Sequence, residues 1–306
     1  MIKVLNILFL FAVPFLFTGI ITRVKSLAAG RKGPSLLQHY YDFFKLMKKG
    51  EVISRTTSLI FRISPLIGLS TTIFAGLFVP VFGHKSIFGF QGDFILVAYL
   101  FGLGKFFSLI GSLETASSFE GMGCARESTF SALAEPGFFM IIASLAFLGK
   151  TMSFSSILAN SYINPELSGM IVLLGVSALF IMILVEGCRI PVDDPNTHLE
   201  LTMVHEVMVL DNSGPDFGFI LYSNALKMLI FASILANLII PPGGNLWFSM
   251  LVFMVLVACV AVCVGIIESV IARFRMSHVP QFIFLITSIG FIVVACMILF
   301  NFGEIR

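Results

Sequence analysis

Five ionisable side chains stand inside long apolar runs: Lys105, Glu135, Glu186, Lys227 and Glu268. A charge in a bilayer core is costly and faces a protein interior, a partner or water. Two roles are open to such a set. The groups can be buried ion pairs that only brace the packing, or protonatable stations on a polar path. Glu135 precedes Pro136, whose missing N–H frees a backbone carbonyl nearby. Its expected charge partners are Arg126 and Lys105.

More candidate chemistry lies in two acidic stretches read as loops. The first runs from Glu114 through Glu120 to Arg126 and Glu127. The second begins at Glu186 and carries Arg189, Pro191, Asp193, Asp194, His198, Glu200, His205, Glu206 and Asp211. Its acids alternate with Leu199, Leu201, Met203 and Val204, so a packed, partly buried segment is expected rather than a solvated face. His198 and His205 beside Glu200 and Glu206 suggest a metal, but they lack the H-E-x-x-H spacing that sets two imidazoles on one helix face. A proton relay or a docking surface suits them better, and no metal is expected. The five cysteines form no C-x-x-C pair and show no cluster spacing, so they read as small buried hydrophobes. No glycine-rich phosphate loop and no nucleophile–base arrangement is apparent. A nucleotide, nucleic-acid or catalytic site is therefore not expected.

The elements that must position these groups follow from composition. Of 306 residues, 58% are hydrophobic and 12% charged, whereas soluble domains are about half apolar and a quarter charged. Mean hydropathy is +1.01. Apolar runs long enough to cross a bilayer fall near 4–24, 58–82, 92–113, 129–149, 169–186, 217–241, 246–270 and 280–302. The expected fold is an all-α integral membrane protein of about eight transmembrane helices in a single membrane domain, residues 1–306. The first run lacks a small-residue cleavage site and is expected to be a retained span. Between residues 34 and 49, Leu36, Tyr40, Phe43, Phe44 and Met47 share one helical face, with Gln38, Asp42, Lys45 and Lys49 opposite. Gly33 and Pro34 supply a start signal and Gly50 a stop. Such a helix is too short and charged to span, and is expected to lie along the membrane interface.

Basic residues set the orientation. Twelve of the nineteen (eight between Arg23 and Arg55, then Arg126, Arg189, Arg273 and Arg275) fall in loops on one side, and Lys3, Lys85, Lys150 and Arg306 on the other. Cytoplasmic loops carry the excess, so both termini are expected outside.

Four ordered motifs resemble one family. Arg31, Gly33, Pro34, Gln38, Asp42 and Lys45, followed by Ser64 and Pro65, resemble the first-loop signature of subunit 1 (H-type) of respiratory complex I, the NADH dehydrogenase family. Arg126 with Glu135 resembles its fourth-span arginine and glutamate. Glu186, Cys188, Arg189, Pro191 and Asp193 resemble its E-x-x-R-x-P-F-D motif, with Val192 in place of phenylalanine. Complex I members then carry several glutamates at alternate positions, where this chain has Asn196, His198 and Glu200. Glu268 with Arg273 and Arg275 is similar to the membrane-bound hydrogenase branch, that of hydrogenase-4 component C and formate hydrogenlyase subunit 4.

The resemblance implies a membrane-anchor and ion-coupling subunit in a prokaryotic cytoplasmic membrane. Its partners would be an iron–sulfur small subunit and a nickel–iron hydrogenase-like large subunit on the cytoplasmic side, with antiporter-like membrane subunits alongside. Cofactors would sit in the partners and none in this chain. Ion-path residues would be Lys105, Glu114, Glu120, Arg126, Glu135, Glu186, Arg189, Asp193, Glu200, Glu206, Asp211, Lys227 and Glu268. Docking residues would be Arg31, Pro34, Gln38, Asp42, Lys45, Arg273 and Arg275. A quinone-reactive complex I subunit, a stand-alone ion transporter and a passive anchor are the alternatives. The orientation is testable: a cysteine at Ser35→Cys should react with an impermeant maleimide only from the cytoplasmic side, and labelling only from outside would refute the topology.

Overall fold

In lipid each backbone N–H and C=O must find its partner within the segment, so a chain this apolar folds as helices. The computed structural model describes residues 2–54, 57–83, 86–159, 165–194, 203–240 and 246–304. Among these it contains twelve α-helices and no strand: α1 Ile2–Ala12, α2 Pro14–Ala28, α3 Gln38–Met47, α4 Leu59–Phe78, α5 Asp93–Glu114, α6 Ser118–Gly149, α7 Phe154–Ala159, α8 Pro165–Glu186, α9 His205–Met208, α10 Gly214–Ile239, α11 Leu246–Val270 and α12 Val279–Glu304. Seven are long and apolar enough to cross a membrane, or up to eight if the bent pair α1–α2 counts as one span. The chain is an all-α integral membrane protein.

Three elements depart from expectation. The first span is not one rod: α1 and α2 meet at a 45° bend. Pro14 opens α2 and has no N–H to give, so the last carbonyls of α1 lose their helical donors. Tyrosine hydroxyls replace them. Tyr222 Oη lies 3.4 Å from the Leu10 carbonyl and 3.1 Å from that of Phe11, and Tyr40 Oη donates to that of Ala12. The fourth span is longer than the expected 129–149, because α6 begins at Ser118 and runs 32 residues. At 1.5 Å per residue that is about 48 Å, well beyond the hydrocarbon thickness. Glu120, Arg126 and Glu127 therefore ride on a helix rather than in a loop.

The interfacial helix is present and shorter than expected. α3 rests on α2 and α10. Phe15 of α2 meets Tyr40 and Phe43 at ring separations of 5.2 and 5.5 Å, and Phe43 lies 5.8 Å from Tyr222 of α10. Phe44 and Leu36 stay 60% and 44% exposed, so only part of the apolar face is left for lipid.

Bilayer tails are as apolar as leucine, so helices associate by close approach at small residues. A Cβ built on Gly137 of α6 would lie 2.8 Å from the Ile286 main chain of α12, and one on Gly265 of α11 would lie 2.8 Å from Val24 of α2. Gly104 and Gly111 of α5 likewise receive Thr71 and Ser64 of α4. Gly121 has open space instead. Gly137→Ala should therefore lower the unfolding temperature, at about 1–3 kcal/mol of overpacking. Gly121→Ala should not; equal thermal stability of the two variants in detergent would refute this packing role.

Candidate functional site

The buried lysines and glutamates converge where α5, α6, α8 and α10 approach one another near the α3 end. Glu186, the last residue of α8, offers one carboxylate to two ammonium groups. Lys105 Nζ of α5 lies 2.9 and 3.1 Å from its two oxygens, and Lys227 of α10 pairs with Oε2. Lys227 also sits 5.8 Å over the Phe101 ring, a face that attracts cations. Lys105 reaches α6 as well, 3.1 Å from Glu127 and 2.6 Å from Ser131 Oγ. Ser131 passes the contact on by donating to Glu135 at 3.2 Å. A continuous series thus runs Lys227, Glu186, Lys105, Ser131, Glu135, with Glu127 as a branch. Glu186 is buried, while Glu135 is exposed.

Of the expected site residues, Lys105, Glu135, Glu186 and Lys227 come together here. Arg126 does not join Glu135: nine residues apart on one helix they are about 13 Å distant along the axis, and Arg126 donates to the Met203 carbonyl at 2.8 Å. Glu114 stands at the start of α4, accepting from the Phe61 amide at 2.7 Å and from the Ser58 hydroxyl. There it satisfies donors that the helix leaves open. Glu120 is fully buried and accepts from the Asp211 amide at 3.0 Å, while Asp211 itself is exposed. Glu268 pairs with Lys25 at 2.8 Å and Arg189 at 3.5 Å. Asp193 pairs with Arg273 at 3.1 Å and takes the amides of Val204 and His205 at 3.1 and 3.0 Å. Glu206 lines the larger cavity described below. Glu200 and His198 lie outside the described residues.

The expected docking residues form a frame at the α3 end. Arg23 donates to the carbonyls of Lys32, Gly33 and Pro34, the last two at 3.3 and 3.2 Å, which sets the path of the loop through Arg31 and Pro34. Gln38 bonds Asp42 at 3.0 Å, one turn on along α3. Lys45 and Arg275 are exposed.

Two cavities flank the series, besides one of about 160 Å³ that Lys105, Glu135, Glu186 and Lys227 themselves line. One of about 80 Å³ is lined by hydroxyls, among them Ser64, Thr72, Ser112 and Ser223, together with Lys105, Glu186 and Lys227. It is polar and roomy enough for several waters. The other, about 670 Å³, lies among α2, α3 and α10, with Lys25, Arg31, His39, Asp42 and Arg189 at its polar end. Burial, and next the Arg189 guanidinium, hold the His39 imidazole below its usual range, with Asp42 opposing.

Sequence reasoning placed Glu127 in an acidic loop and gave His205 a relay or docking role without joining either to the buried series, and it passed over Ser131 and Asn224. The helical spacing of Glu127 and Ser131 was the signal missed: positions 127, 131 and 135 are four apart and share one face once α6 is read as helix from Ser118. Glu127, Cys188 and His205 bring a carboxylate oxygen, a thiol and a ring nitrogen within 4.8 Å of one another, the one group of potential metal ligands among the described residues. Two features disfavour a cation there. Lys105 already occupies the Glu127 carboxylate. Burial, and then the Glu127 and Asp193 charges, push the Cys188 thiol well above its usual range, keeping it protonated and a poor ligand.

The NADH dehydrogenase family profile matches residues 2–300. Hydrogenase-4 component C of Escherichia coli K12 is 29% identical over 267 residues, covering 85% of this chain and 84% of its own. Formate hydrogenlyase subunit 4 of the same organism is 28% identical, with 90% and 91% covered. An NADH-quinone oxidoreductase component of Neorickettsia sennetsu is 23% identical, with 88% and 86% covered. In fold, a chain of the membrane-bound sulfane sulfur reductase, an archaeal respiratory membrane complex, superposes with a TM-score of 0.80, at 22% identity over 96% of this chain and 98% of that one.

The ion-pair geometry has a direct consequence for stability. Glu186→Gln leaves Lys227 and Lys105 buried with their shared anion gone, a loss of about 3–5 kcal/mol for a broken buried pair. Adding Lys227→Met should recover part of it. Thermal unfolding in detergent distinguishes the cases, and a double variant less stable than Glu186→Gln alone would contradict the pairing.

Proposed function

This chain belongs to the NADH dehydrogenase family, the complex I subunit 1-like proteins, and on that premise we propose that it anchors a hydrogenase- or formate hydrogenlyase-like complex in the membrane and starts its ion path. The coarser statement needs no proposal: it is a membrane subunit of a respiratory-type complex. The observation that carries the finer reading is the series Lys227, Glu186, Lys105, Ser131, Glu135. It starts among buried groups near the α3 end and finishes on an exposed carboxylate within a helix long and apolar enough to span. An ionised carboxylate does not face lipid tails, so Glu135 meets a neighbouring membrane subunit, one of antiporter type.

The redox module sits on the cytoplasmic face against Arg31, Pro34, Gln38, Asp42, Lys45, Arg273 and Arg275, with both termini of this chain on the opposite side of the prokaryotic inner membrane. Iron–sulfur clusters and a nickel–iron site belong to those soluble partners, and this subunit binds neither metal nor flavin. Coupling is electrostatic. A change of charge at the module alters the proton affinity of the nearest carboxylates, and the ion-pair series carries that change inward. A quinone-reactive role is the second reading, favoured by the cavity of about 670 Å³ with its apolar wall of Phe15, Phe43 and Met228.

Glu135→Gln keeps size and removes charge. In proteoliposomes holding the intact complex, electron transfer should persist while ion translocation per electron pair collapses. If Glu135 only braces the fold, the amount of assembled complex falls and translocation per turnover stays normal, and that outcome ends the proton-station reading.

A further inference from the structure

Three residues line both cavities: Cys188, His205 and Asn224. They form the wall between the small hydroxyl-lined space around Lys105, Glu186 and Lys227 and the larger one facing Arg31, His39 and Arg189. Of the three, His205 alone can take a proton at one atom and release another elsewhere, because imidazole has two ring nitrogens of opposite role. The Asn224 amide donates hydrogen bonds without giving up its protons, and the Cys188 thiol is held protonated.

The surroundings of the imidazole are one-sided. Nε2 lies 2.6 Å from Asn224 Nδ2. With the amide donating, Nε2 is the acceptor and the ring proton is assigned to Nδ1. Nδ1 is buried and has no hydrogen-bond partner, a costly state for a polar atom. The Glu127 carboxylate and the Cys188 thiol lie within 4.8 Å of the ring. One ring rotation or one bridging water joins Nδ1 to Glu127, which Lys105 already holds. The backbone of His205 is pinned separately, its amide bonded to Asp193, which pairs with Arg273.

We propose that His205 is the proton valve between the two cavities. This rests on the ion-path reading above and names the step that feeds it. Nε2 takes an excess proton carried by water in the larger cavity as Asn224 turns aside, the imidazolium so formed releases its Nδ1 proton to the Glu127 carboxylate, and ring rotation resets the neutral ring. One proton crosses the wall and no electron moves. The charged groups that face the ring act on both states. Lys105 of α5, Glu127 of α6, Glu186 at the end of α8 and Lys227 of α10 lie toward the smaller cavity; Arg189, Glu206, Lys25, Arg31, His39 and Asp42 lie toward the larger. The Asp193–Arg273 pair sets where the ring stands, so a partner that draws on Arg273 moves the valve.

The test uses the intact complex in proteoliposomes with His205→Gln, His205→Ala and Glu135→Gln side by side. His205→Gln keeps a hydrogen-bonding group of similar reach and cannot relay. Electron transfer should continue in both His205 variants while the translocation rate falls at least about tenfold. Imidazole added to His205→Ala should restore it, since the larger cavity admits the ring, whereas pyrazole, equal in size and a far weaker base, should not. Equal rescue by pyrazole would reduce His205 to a space filler. Loss of assembled complex in both variants would reduce it to a brace. Either result overturns the valve, as does normal coupling in His205→Gln when Glu135→Gln is uncoupled, which leaves the ion path standing. Normal coupling in both removes the ion-path reading as well.

Discussion

One carboxylate between two ammonium groups holds the centre of this protein together. Glu186 closes α8, and Lys105 and Lys227 approach it from α5 and α10. Helices in a bilayer gain little from burying leucine against leucine, so polar contacts and close backbone approach must fix which helix meets which. Removed from water, each charge carries a desolvation cost that only its partners offset. Two positive and two negative groups balance once Glu127 is included. The cluster ties four helices at one point because none of its members is satisfied alone.

A second layer of ion pairs works at the α3 end. Glu268 of α11 draws in Lys25 of α2 and Arg189 beyond α8, and Asp193 draws in Arg273 beyond α11. Asp193 also collects, with its second oxygen, the amides that open α9. Arg189 and Asp193, just after α8, are tied by these contacts to α11, to Arg273 and to the start of α9. Surface and interior are in this way mechanically joined through a handful of side chains.

The spans were legible because the bilayer admits few solutions. Uninterrupted apolar runs between 58 and 302 map onto α4, α5, α8, α10, α11 and α12 with small shifts in their ends. The costly residues Lys105, Glu135, Glu186 and Lys227 were legible for the same reason. Their pairing was not, since Glu186 meets Lys105 across 81 residues and nothing local records it. The extension of α6 was hidden by Glu120, Arg126 and Glu127, whose charges lower hydropathy while leaving helical periodicity intact. The place of Glu114 at the start of α4 was not legible either, because the Ser58 and Phe61 donors it meets lie more than fifty residues away. The bend at Pro14 was averaged away within an apolar run, although the proline itself was visible.

That bend bears on how the protein is made. An eleven-residue α1 covers about 16 Å, roughly half a bilayer core, and its last carbonyls face hydrocarbon until other groups arrive. Tyr40 emerges soon after it, but Tyr222 lies some two hundred residues downstream. At ordinary translation rates of about 5–20 residues per second, that delay is roughly ten to forty seconds. During that time the amino-terminal segment is an unfinished insertion intermediate, sheltered by whatever the insertion machinery offers. A span made early is thus among the last to reach its final form.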